Sequence, residues 1–306
     1  MYDNDSKGIS YTAGFFMLIA FTIGGLILAS IISIPVWKQM TGLGILQMEK
    51  GMSDPANANA MKVLQSINAV VGFLLPTILT AFLLNRRPMK LLGFGAEVKP
   101  AQAALVLPIM ITALFVSGGL SYVNEIIPIT SKLKTFFDNL ENQYNEQVKA
   151  IVGLKNNTDF IIALIVMAFL PAVCEEALFR GGLQNFLTRS TKKPWLSIII
   201  VSIIFSIVHF SFYGFLSRFF LGMVLGAIYY YSGKIWLNIL AHFINNAIAL
   251  SALYFYIKSG KSVDEAMNQD VKTYWGLLFL PFVVGLIIYF KKVSAGTKTV
   301  TDNYGA

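Results

Sequence analysis

The sequence predicts an all-α fold: a polytopic membrane protein in which about eight helices cross a bilayer as one bundle. Three observations predict it. Charged residues make up 13% of the 306 residues and hydrophobic ones 56%, whereas a soluble domain carries roughly 25% charge to wet its surface. Mean hydropathy is +0.64. The apolar runs also approach or exceed the roughly 20 residues that a helix needs to cross hydrocarbon.

The runs fall at approximately 11–37, 63–85, 102–124, 159–187, 195–213, 214–233, 235–257 and 274–290. Each is read as a helix, because an open strand edge cannot satisfy its backbone in lipid. The first is expected to be a retained span: Asp3 and Asp5 face a single Lys7 before it, so a basic leader region is missing, and the run is too long for a leader. Pro76, Pro108, Pro171 and Pro281 lie inside spans and should kink them. The 214–233 segment is short and carries Arg218, so it should be tilted or partly interfacial; its Gly222 and Gly226 should let another helix approach closely. The 38–62 connection is mixed and rich in Met, Gly and Asn. The 125–158 connection alternates Lys132, Lys134, Asp138, Glu141, Glu146 and Lys149 with apolar residues and reads as an amphipathic surface helix.

The chain divides into residues 1–156, spans and an amphipathic connection without a motif; 157–257, which carries the chemistry; and 258–306, the last span and tail. The net charge of +8 sits in short loops beside spans, which predicts contact with anionic lipid and no nucleic acid. Twelve of the Lys and Arg residues share the side of the termini: Lys7, Arg86, Arg87, Lys90, Lys99, Arg189, Lys192, Lys193, Lys234, Lys291, Lys292 and Lys298. The total divides almost evenly, but these crowd against span ends, so N- and C-termini are expected in the cytoplasm and the protein in the plasma membrane. Cys174, the single cysteine, excludes an intramolecular disulfide.

The residues that should not be in lipid carry the functional signal. The fourth run contains Cys174-Glu175-Glu176-Ala-Leu-Phe-Arg180, and both histidines of the chain, His209 and His242, fall in apolar runs. A charge near the bilayer centre costs at least ~2.5 kcal/mol on the mildest scale. Glu175 lies 17 residues before Lys192 and His209 17 after it. Equal contour along an antiparallel hairpin puts both at one depth, roughly 25 Å from the loop. His242 and Asn246 share a face of the seventh span. A glutamate in apolar surroundings suits a general base, a histidine can shuttle its proton or help bind a metal, and a His–Asn pair can donate to an oxyanion. Arg180 can pair with Glu176 one turn away. Taken singly, a buried His, Asn or Glu–Arg pair is more often helix-to-helix packing; the convergence of three spans favours a site. A thiolate at Cys174 is disfavoured by apolar surroundings.

Glu175-Glu176-x-x-x-Arg180, Phe205-x-x-x-His209 and His242-x-x-x-Asn246, in this order and without substitution, resemble the three motifs of the CPBP intramembrane proteases, the family of CAAX proteases and bacteriocin-processing enzymes. The resemblance covers about 157–250 and implies a membrane endopeptidase. It makes Glu175 the base that activates water with His209 assisting, His242 and Asn246 the oxyanion donors, and Glu176 and Arg180 supporting residues. It leaves open whether Glu175, His209 and His242 hold zinc or work without metal. It implies a membrane-associated peptide or protein substrate, either CaaX-type or of the bacteriocin or signal-peptide type. The rival readings are a catalytically silent protein of the same fold, acting in immunity or as a scaffold, and a proton-coupled transporter.

Overall fold

The computed structural model describes residues 5–152, 154, 156–263, 265 and 274–295; Asp3 and Lys298 of the charge argument lie outside them. The described residues form helices, with one isolated backbone bridge between Ser6 and Asn85. In chain order the principal helices are α1 (Tyr11–Thr41), α2 (Pro55–Leu84) and α3 (Pro100–Glu125). Then come α4 (Ser131–Val152), α5 (Asn157–Thr191), α6 (Pro194–Ile207), α7 (Phe215–Ser232), α8 (Ile235–Lys258) and α9 (Tyr274–Ser294).

Six of these, α1, α2, α3, α5, α8 and α9, are long and apolar enough to cross a membrane. The chain is therefore an integral membrane protein. The two remaining runs form shorter helices, 14 residues in α6 and 18 in α7. The fifth run, expected to stay helical over 195–213, ends instead at Ile207. His209 consequently lies in the turn beyond α6 and not within a span. Phe210 takes a left-handed φ of +51° there, a conformation costing a side-chain-bearing residue roughly 1–2 kcal/mol.

Two of the four prolines expected to kink their spans share one device. Pro76 and Pro171 each follow a widened π turn, at Asn68–Leu74 in α2 and Leu164–Phe169 in α5. Proline offers no N–H and crowds the carbonyl four residues back, and the wide turn relieves both. A third π turn, Ala177–Gln184, follows Glu176 directly.

The apolar core has two main halves. One joins α3, α7, α8 and α9 around Ile109, Met110, Ile228 and Phe290; the other joins α1, α2, α5 and α6 around Leu18, Leu84, Phe186 and Val201. Gly222 and Gly226 face α6: a Cβ on Gly222 would lie 3.0 Å from Ser202, and one on Gly226 would lie 2.8 Å from Ile198. Close approach explains both glycines.

The amphipathic 125–158 connection folds as α4. It docks on the turn after α6 through a parallel stack of Phe137 on Phe212, centroids 4.3 Å apart, and through Ser211 Oγ donating to Glu141 at 2.7 Å. Tyr213 Oη donates to Asp138 beside it.

Candidate active site

α5 carries a polar stripe at four-residue steps, Glu176, Arg180, Gln184 and Thr188, all buried. The spacing keeps them on one helix face, turned from lipid toward α7 and α8. Arg180 Nη1 donates to Glu176 Oε1 at 2.7 Å and Nη2 to the carbonyl of Gly222 at 3.3 Å. Gln184 Nε2 donates to the carbonyl of Gly226 at 2.9 Å. The glycines of α7 thus admit the neighbouring backbone and also expose carbonyls to it.

Glu176 is the hub. Besides Arg180 it receives His242 Nδ1–H at 2.8 Å and Asn238 Nδ2 at 3.3 Å, while Asn238 also donates to the Leu225 carbonyl at 2.7 Å. A carboxylate can only accept, so the Nδ1 contact fixes which imidazole nitrogen carries the proton. Nε2 of His242 is then the nitrogen turned toward Glu175, 3.9 Å from its Oε2. That carboxylate oxygen is buried and has no hydrogen-bond partner.

Glu175, His209, His242 and Asn246 all line one cavity of about 750 Å³. Glu176 and Arg180 lie behind its wall, fully buried. Among the described residues Glu175 and His209 share no direct hydrogen bond or ion pair; they meet through the cavity. His209 Nδ1–H donates to the carbonyl of Phe205 at 2.6 Å, which orients its ring. Phe205 explains its place in the second motif. Its ring lies under the Arg180 guanidinium at 4.7 Å and meets edge-on both His209, at 4.8 Å, and His242, at 6.0 Å. Asn245 Nδ2 donates to Asn246 Oδ1 at 3.0 Å, leaving the Asn246 amide donors for the cavity. Cys174 is fully buried and is not part of the cavity wall.

Asn238 and Asn245 were missed as contributors, as was Arg218 as a wall residue. Asn238 had a signal: it stands one turn before His242 on the same face of an apolar helix. Met52, Tyr144, Val148 and Ile151, from the 38–62 and 125–158 connections, also line the cavity, which nothing local in the sequence foretells.

Three zinc ligands would have to converge on one point at about 2 Å each. Among the described residues no three His, Cys, Asp or Glu side chains are grouped to hold a metal, so Glu175, His209 and His242 do not fit a zinc set in this arrangement.

Residues 157–248 match the family model described as type II CAAX prenyl endopeptidase Rce1-like, an interval that contains all three motifs. No curated protein and no solved structure gives a significant match.

Proposed function

We propose, from the match of residues 157–248 to the Rce1-like CAAX endopeptidase model, that the protein is an intramembrane endopeptidase that hydrolyses a membrane-associated peptide or protein with water activated by Glu175. The observation that carries this reading is the Glu175 carboxylate: half-buried, with its Oε2 buried and unpartnered, open to a cavity and facing a histidine whose other nitrogen is held. A carboxylate kept out of bulk water and free of hydrogen-bond donors is an effective base.

In this mechanism Glu175 takes a proton from a water in the cavity as the oxygen attacks the scissile carbonyl. His209 offers Nε2 to the same cavity and assists the transfer. The negative charge that develops on the carbonyl oxygen is met by the Asn246 amide, which Asn245 orients, and by His242 when Nε2 carries a proton. The proton held on Glu175 then passes to the leaving amine as the C–N bond breaks. No step needs a metal.

We place the termini in the cytoplasm. The cavity roof then belongs to the outer face, and substrates arrive from that face or from lipid, which favours a peptide of the bacteriocin or signal-peptide type over a cytosolic CaaX protein. Cysteine labelling in a Cys174→Ser background tests this. Labelling of position 192 by an impermeant external reagent would reverse it.

The central test compares cells carrying the wild-type chain and Glu175→Gln for peptides that accumulate uncleaved. Glutamine is nearly isosteric, so the bundle should keep its melting temperature while turnover falls roughly 10²- to 10⁴-fold, the range for loss of a general base. Unchanged turnover would exclude Glu175 as the base and leave the scaffold reading. Exhaustive chelation should leave turnover intact; stoichiometric zinc lost together with activity would require a metal-dependent mechanism instead.

A further inference from the structure

Arg218, near the start of α7, lines the same cavity as Glu175. Among the described residues it makes no ion pair and no side-chain hydrogen bond, and its Nη1 is buried without a partner. It lies over the face of Tyr144, 5.7 Å from the guanidinium carbon. The acids that α4 brings nearby are already engaged, Asp138 with Tyr213 and Lys134, and Glu141 with Ser211. Gly214 makes the room: a Cβ there would lie 2.1 Å from Nη1. The contrast is Arg180, whose guanidinium is neutralised by Glu176 at 2.7 Å.

A cationic N–H group buried without a partner is costly, and an arginine holding one in the wall of a substrate cavity is set to receive an anion from the ligand. We propose that Arg218 binds a carboxylate of the substrate peptide and so selects where along the chain the peptide enters the site. The inference rests on the reading of this cavity as the substrate site of a peptidase. The planar fork of guanidinium matches a carboxylate in two parallel hydrogen bonds. A peptide presents that group in two ways, at its C-terminus or on an Asp or Glu side chain.

The test separates both sources and does not depend on turnover. Full-length Glu175→Gln protein in nanodiscs is offered three mixed-sequence apolar decapeptide libraries: one ending in a free acid, one ending in an amide, and one amidated with a single internal glutamate. Captured peptides are counted by mass spectrometry. Enrichment of the free-acid library assigns the C-terminal carboxylate, and enrichment of the glutamate library assigns a side chain. Either preference should fall roughly 10- to 100-fold when Arg218→Gln is added, the scale of a charge-assisted pair. Arg218→Lys should restore part of it, which separates charge recognition from a folding defect. Gly214→Ala, which displaces the guanidinium without altering its charge, should weaken it too. Equal capture of the three libraries, or a preference untouched by Arg218→Gln, would overturn the proposal. Absence of any cleavage by the chain with Glu175 intact would sink the peptidase reading alone, since capture is measured without chemistry.

Discussion

α1 and α5 are both long apolar helices, yet they meet the bilayer in opposite ways. In α1, 11% of the apolar stretch is buried, and Phe16, Ile23, Ile27 and Ile31 face outward; in α5, 44% is buried. α5 also holds Glu176, Arg180, Gln184, Asn185 and Thr188 almost fully buried. Two helices of like hydropathy thus differ in where their polar atoms go. α1 turns most of its apolar side chains outward. α5 is enclosed by its neighbours, and carbonyls of α7 and side chains of α8 satisfy Glu176, Arg180 and Gln184 on three successive turns of its stripe. Burial against protein, and not apolarity, is what allows a helix to carry charge in a membrane.

The sharpest way to break this contrast is Arg180→Met. It removes a partner from a fully buried pair and strands Glu176 with its charge, so a loss of about 3–5 kcal/mol is expected. Ile27→Ala on the outward face of α1 should stay within about 0.5 kcal/mol of zero. Unfolding followed in detergent by denaturant titration measures both, and similar losses would end the distinction between the two helices. A middle effect is expected where α1 and α5 touch. A Cβ on Gly182 would fall 2.4 Å from Leu18, so Gly182→Leu should cost about 1–3 kcal/mol through overpacking. Leu18→Ala should recover part of that loss; no recovery would place the strain elsewhere.

The smallest effect lies outside the membrane, on α4. Hydrogen bonds from Tyr213, and then from Lys134, hold the Asp138 carboxyl below its ordinary 3.8. A lowered folded-state value means that this docking contact is fully present above about 3.8 and is lost as pH falls through the lower value. Amide exchange along α4, taken relative to the intrinsic rate at each pH, should therefore be flat from neutral pH to about 4 and rise below it. Tyr213→Phe should shift the rise toward higher pH, and an unshifted profile would remove Asp138 from the docking.

The sequence carried the bundle because lipid punishes alternatives: eight apolar runs became six long helices and two short ones. It carried Glu175, His209, His242 and Asn246 as candidates because ionisable residues are conspicuous in such runs. It did not carry Glu176 as the hub joining Arg180, Asn238 and His242, since that role depends on the crossing of α5, α7 and α8, which periodicity does not encode. Nor did it carry the end of α6 at Ile207. Val208, His209 and Phe210 continue the apolar pattern, and the turn that follows is held by contacts with α3 and α4 that a local pattern does not show. Arg218 read as a sign of tilt, because its lack of a partner can be seen only once every neighbour is placed.

The π turn at 164–169 has a consequence for helical phase. A π turn accommodates one residue more than the α-helix would, and each residue is worth about 100° of rotation. Deleting a single residue there would restore an unbroken α-helix and swing the second half of α5 by about that angle relative to its first half. Glu175 would leave the cavity and the polar stripe would turn toward lipid, although every side chain that performs chemistry would still be present. The bulge acts as a phase setting: it lets one helix show an apolar face to the membrane at its start and its acids to the interior halfway along.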